Sequence, residues 1–96
     1  MLIIELTYKK ELAVVEKHLV AHRDFLQYYY DEKSFIMSGP KNPRVGGIII
    51  ANIEREKIQT IIEQDPFYIH KVADHQVTEF NAVKYVTELK PLLEHN

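Results

Sequence analysis

Cysteine is absent from this chain of 96 residues, and so is tryptophan; glycine occurs only three times. Without cysteine there is no disulfide framework and no thiolate nucleophile, and a reducing, cytoplasmic location is the expectation. Charge of one sign is also scarce: 12 basic against 14 acidic residues leave a formal net charge of −2. No basic run appears, so no nucleic-acid partner is expected. No apolar stretch approaches the roughly 18 residues needed to span a bilayer, so no membrane partner is expected either. The segment Met1-Leu2-Ile3-Ile4-Glu5 lacks a basic start and soon meets a charge, which argues against a standard signal peptide. Phosphate-cradling glycine loops, a nucleophile-elbow serine and zinc-finger spacings are all missing, and no cofactor is expected.

What the chain does have is apolar side chains, 46% of the total. Its length suits one domain over residues 1–96, with residues 85–96 as a tail able to form a short helix. A chain this small buries only ~60–65% of its unfolded surface on folding. Some of the apolar surface is therefore expected to serve a second chain.

Leu2, Ile4, Leu6 and Tyr8 alternate with Glu5 and Thr7, which predicts a first strand over residues 2–8. From Glu11 to Tyr30 the period changes. Leu12, Val15, Leu19, His22, Leu26 and Tyr29 recur at steps of three and four, as one stripe of a helix. Residues 34–39 read as a second strand, and Lys41-Asn42-Pro43-Arg44 as a turn. Gly46-Gly47 lead into Ile48-Ile49-Ile50-Ala51, a third strand apolar on both faces. Asn52 is the expected cap of a second helix that runs to Gln64 and ends before Pro66. A fourth strand is expected within residues 71–83, and a tail helix interrupted by Pro91.

The order β-α-β-β-α-β predicts an α+β, ferredoxin-like fold: a four-stranded antiparallel sheet with two helices on one face. The other face is left bare. A second copy is its expected cover, giving a dimer through the sheet, or a higher homo-oligomer, with a pocket between facing sheets.

His22 interrupts an otherwise apolar and aromatic stripe and so points toward the sheet. It reads either as a core histidine with a backbone partner or as a general acid or base, since imidazole titrates near neutral pH. Asp65 falls at the expected C-terminus of the second helix, where the dipole disfavours an anion; it reads as a functional carboxylate or as an Asx-turn before Pro66. His18 and His22 are spaced to face one metal ion, but no third ligand accompanies them, so no metal site is expected. His70 and His75 flank a strand start and fall on opposite faces of a regular strand, and His95 lies in the tail. Tyr28-Tyr29-Tyr30 reads as a half-buried helix end. Arg44, next to Gly46-Gly47, is either a solvated turn residue or a clamp for a carboxylate or enolate, with Ser38 as a further polar contact.

Four segments in order, Ala21-His22-Arg23-Asp24-Phe25-Leu26, Ser38-Gly39-Pro40, Gly46-Gly47-Ile48-Ile49-Ile50 and Asp65-Pro66-Phe67, resemble the YciI-like family, over residues 1–85. The short stretch between Ser38 and Arg44 resembles one subgroup of it. The resemblance implies a ferredoxin-like dimer related to the dimeric α/β barrels, with a histidine and an aspartate at the active site that fall on His22 and Asp65. It places Phe67 at the substrate. A few relatives act on small cyclic, often chlorinated, compounds by elimination or proton transfer. Tyr68-Ile69-His70-Lys71 departs from the family, where a glycine is often found. The resulting expectation is a lyase or isomerase in which Asp65 orients His22 and His22 moves a proton on a small cyclic or carbonyl compound. The alternative is a non-catalytic ligand-binding or interaction dimer.

Overall fold

The computed structural model describes residues 1–94; His95 lies outside the described residues. The chain runs β1 (Leu2–Tyr8), α1 (Leu12–Lys17), α2 (Leu19–Asp31), β2 (Phe35–Pro40), β3 (Gly46–Ala51), α3 (Arg55–Ile62), α4 (Pro66–Ile69), β4 (Ala73–Glu79), a 3₁₀ turn (Thr87–Leu89) and α5 (Lys90–Leu93). The sheet order is β2-β3-β1-β4, with every neighbouring pair antiparallel. This is the ferredoxin-like α+β arrangement that the element order predicts.

The period-2 pattern of β1 sets the inner face. Leu2, Ile4 and Leu6 are almost fully buried and pack with Val15, Tyr29, Ile58 and Ile62 from the helices. Ile4 pairs with Ile49 and Leu2 with Ala51, so Gly47, Ile49 and Ala51 of β3 share that helix-covered face. Ile48 and Ile50 therefore point to the opposite, outer face, where Ile3 and Met37 join them. The register resolves the two-sided apolar character of β3: one side belongs to the core, the other to the uncovered sheet surface. Gly46 is required by close approach, because a Cβ there would overlap the Leu6 carbonyl oxygen.

Several local expectations need correction. The first helix is broken at His18, whose backbone (φ −105°, ψ 6°) leaves helical geometry and whose N–H donates to the Val15 carbonyl in a tight turn. Leu12, expected on the buried stripe, is 45% exposed. Asn52 does not cap α3. Its backbone N–H still pairs with Ser34, its side-chain amide donates to the Leu92 carbonyl (3.0 Å), and Glu54 occupies the cap position. The helix stops at Ile62, before Gln64. Pro91 does not interrupt the tail helix but sits in the first turn of α5, where its missing N–H costs nothing. Among the described residues no helix is long and apolar enough to cross a membrane.

The register makes a test. Ile49→Asp buries a charge in the core and should cost more than about 3 kcal/mol, unfolding the chain or abolishing its cooperative melt. Ile50→Asp, one residue on, should retain native circular dichroism and a cooperative transition. Equal damage from both would contradict the assigned register.

Candidate active site

Asp65 collects donors from three elements. The chain leaves α3 through Glu63 and Gln64, and Asp65 then takes the extended N-cap conformation of α4 (φ −70°, ψ 124°). Sequence reasoning put this carboxylate at an unfavourable helix C-terminus. It stands instead at the start of the next helical turn, where the Phe67 N–H donates to its Oδ1 (2.9 Å) and Pro66 follows in the first turn. The Nδ1 of His22, arriving from the middle of α2, lies 2.7 Å from the same oxygen. The Nε2 of His75, from β4, lies 3.0 Å from Oδ2. Asp65 is 1% exposed, and the His22 and His75 side chains are 10% and 3% exposed.

His75 was not among the expected site residues. The alternation that would have found it is present: Ala73, His75 and Val77 point inward while Asp74, Gln76 and Thr78 are exposed. The left-handed Lys71 (φ 55°) turns the chain out of α4 and returns β4 against Asp65. His70 does not reach this site. It closes α4 and stacks on His18 (centroids 4.2 Å, 17° between planes), so His18 and His22 have separate partners.

An ionised carboxylate only accepts, so each imidazole presents an N–H to Asp65. Burial by itself pushes the Asp65 carboxyl up. The hydrogen bonds from His22 and His75, the attraction of His22 and the Phe67 N–H outweigh it and hold the group below the ordinary carboxylate value. With Nδ1–H committed to Asp65, His22 keeps its Nε2 lone pair for another partner. The Phe67 ring lies flat against the imidazole (centroids 3.9 Å, 3° between planes), fixing its plane and offering a π-face to an imidazolium.

His22 lines a cavity of about 590 Å³ between α1–α2 and the inner face of the sheet. The expected pocket between two facing sheets is on the other side; this one lies inside a single chain. Its origin is local. Where Phe35, Ile49 and Ala51 fill the interface, β2 and β3 continue with Ser38, Gly39 and Gly47, and these small residues leave space under α2. Ser38 Oγ is 2.5 Å from the Tyr30 hydroxyl. Arg44 donates to Glu16 Oε1 (3.2 Å) across the cavity, and both residues line it. Arg23, a second cation on the lining, has no ion pair among the described residues; sequence reasoning passed over it. Thus His22, Ser38, Arg44 and Phe67 all face one cavity, while Asp65 stands behind His22 and does not line it.

Fold and site together define a ferredoxin-like α+β protein with a buried His–Asp pair behind a small cavity. A family model, the YCII-related domain, matches residues 1–81, and the chain belongs to that family. A solved structure of 5-chloro-2-hydroxyhydroquinone dehydrochlorinase from Burkholderia phenoliruptrix, in complex with 2,5-dihydroxybenzoquinone, is similar in fold. The TM-score is 0.69 at 17% identity, covering 84% of this chain and 94% of that one. No curated protein matches the chain significantly.

The depressed Asp65 carboxyl contributes stability that is fully present above the unfolded-state value, about 3.9, and is lost as pH falls through that value toward the lower folded one. Asp65→Asn should cost about 1–3 kcal/mol at neutral pH, because a carboxamide cannot accept from three donors. The variant should also lose less stability than the unmodified protein between about pH 4 and pH 2. Denaturant melts across that range measure both effects. Parallel acid profiles would show that Asp65 is not the group responsible.

Proposed function

We propose that the protein is a small-molecule enzyme in which His22 is the general base and Asp65 orients it. The observation carrying this reading is the 2.7 Å contact between His22 Nδ1 and a carboxylate that is 1% exposed, with the same imidazole lining the cavity. A carboxylate behind the ring fixes the tautomer with Nε2 unprotonated and stabilises the imidazolium that forms when Nε2 takes a proton. The contact also supports the enzyme reading over a non-catalytic binding module, because it orients a ring that lines the cavity.

The reaction class is elimination or isomerisation of a small cyclic or carbonyl compound. In an elimination, His22 Nε2 takes a C–H or O–H proton, the released electron pair forms a new π-bond, and a leaving group such as chloride departs with its own pair. The dehydrochlorinase of similar fold motivates the choice of halide as leaving group. Ser38, itself held by the Tyr30 hydroxyl, would hold a substrate hydroxyl or carbonyl, Arg44 and Arg23 a developing enolate, and Phe67 would flank a planar ring through its position on the cavity wall.

The functional unit is proposed to be a homodimer. Ile3, Met37, Ile48 and Ile50 put apolar surface on the outer sheet face, and Met37 is 55% exposed in the single chain. Sheet-to-sheet packing of two copies would cover it, burying more than roughly 1,200 Å² in total. Sedimentation should give a dimer at micromolar concentration and a folded monomer for Ile50→Asp. A monomeric unmodified protein would defeat the dimer.

The catalytic test uses chlorinated hydroquinones and hydroxyquinones, with chloride release as the readout. His22→Ala, assayed at a temperature where circular dichroism shows it folded, should lower the rate by about 10²–10⁴-fold. A folded His22→Ala protein turning over at the unmodified rate would exclude His22 as the base.

A further inference from the structure

Two imidazoles, His22 and His75, share the Asp65 carboxylate, yet of the two only His22 faces the cavity. The second imidazole needs its own account. His75 presents Nε2 to Asp65 Oδ2 at 3.0 Å, its side chain is 3% exposed, and its Nδ1 is buried with no hydrogen-bond partner. A proton on that Nδ1 would create a buried donor without an acceptor, beside a ring already desolvated. His22 has no such obstacle, because its Nε2 lies on the cavity side.

We propose that His75 is a positioning residue: an imidazole that donates its Nε2–H to Asp65 and so confines the mobile proton of the three-residue set to His22. The inference rests on the reading of His22 as the base and adds what sets its basicity. Asp65 would otherwise hold a free Oδ2 lone-pair edge. A donor there disperses the carboxylate charge, weakens its pull on the imidazolium and keeps the His22 Nε2 a milder base that can release its proton again. The same bond locks the carboxylate rotation, so Oδ1 stays aimed at His22.

Among the described residues no other side chain hydrogen-bonds to Asp65; His18, one turn before His22, is stacked on His70 instead. Around the cavity the charged and titratable side chains are Glu16 of α1, Arg23 of α2, Arg44 of the 41–45 turn and Tyr8 of β1. Glu16 and Arg44 are paired with each other. On the far side Tyr68 meets His75 edge-on (5.8 Å between centroids), and His75 itself borders a shallow surface concavity with Lys9, Glu63, Lys71 and Asp74, although its Nδ1 is buried. All of these neighbours remain when His75 is replaced.

The test needs no substrate, so failure of this inference and failure of the proposed reaction appear in different experiments. In the unmodified protein, ¹⁵N NMR of the imidazoles should show His75 as the neutral Nε2–H tautomer at every pH where His22 is still gaining protons. His75 taking up a proton before or together with His22 would overturn the proposal, and this measurement stands even if variants fold poorly. In His75→Phe, which removes the donor and keeps a ring, the His22 titration midpoint should rise by roughly half to one pH unit. His75→Gln, whose Nε2–H can reach the same oxygen, should bring it back. A residue that only fills space would lower thermal stability in both variants and leave the His22 midpoint unmoved, and that result also overturns the proposal.

Discussion

A carboxylate that is 1% exposed must be compensated or the fold loses several kcal/mol, and Asp65 is compensated by donors from three separate elements. The Phe67 N–H belongs to its own helical turn, His22 comes from α2 and His75 from β4. Each donor fixes a different relation. The turn holds the carboxylate in place, α2 is pinned to α4, and β4 is pinned to both. None of the three can shift without leaving a buried anion short of a partner. The geometry on which the proposed chemistry depends is therefore also a condition of the packing.

This coupling explains why some of the site could be read from the sequence and some could not. The inner face of β1 followed from period-2 apolar spacing, because Leu2, Ile4 and Leu6 have no other way to be buried together, whereas β3 is apolar on both sides and its faces came only from its register against β1. His22 was legible because a polar ring in an apolar stripe must meet a partner inside. Asp65 was singled out for a reason the structure reverses: it is an N-cap, favoured by its local N–H, and the real cost lies in its burial. His75 stayed hidden. Its inward position follows the alternation of Ala73, His75 and Val77, but that it meets Asp65 depends on the left-handed turn at Lys71, a residue type that rarely signals one. The break at His18 was equally silent, since the residues around it keep helical spacing and nothing like proline marks the turn.

The sheet serves two different demands on its two faces. Inside, large side chains fill most of the interface, and the small residues at one end of β2 and β3 leave the cavity. The void is adjacent to His22 because α2 crosses above that same end. Outside, Ile50 with Ile3 and Met37 presents apolar surface on the opposite face, while Ile48 also borders the cavity.

Membership of the YCII-related family and a shared fold with a dehydrochlorinase do not by themselves transfer a substrate, since at 17% identity the likeness shows architecture alone. A buried His–Asp pair is general-purpose equipment: it supplies a base of fixed tautomer and says nothing about what is deprotonated. Under the proposed function, discrimination would come from the cavity mouth. There the Arg44 guanidinium is held by Glu16, while Arg23 has no counter-ion among the described residues. A neutral ligand would leave the Arg44–Glu16 pair intact and gain little from either arginine. A ligand that becomes anionic as it loses a proton to His22 would meet Arg23 at once and compete with Glu16 for Arg44, so the attraction grows as the reaction proceeds. Interactions that strengthen toward the charged state favour that state over the bound starting compound. On this argument the electrostatics of the mouth suit an acid that ionises during turnover better than one that arrives already charged.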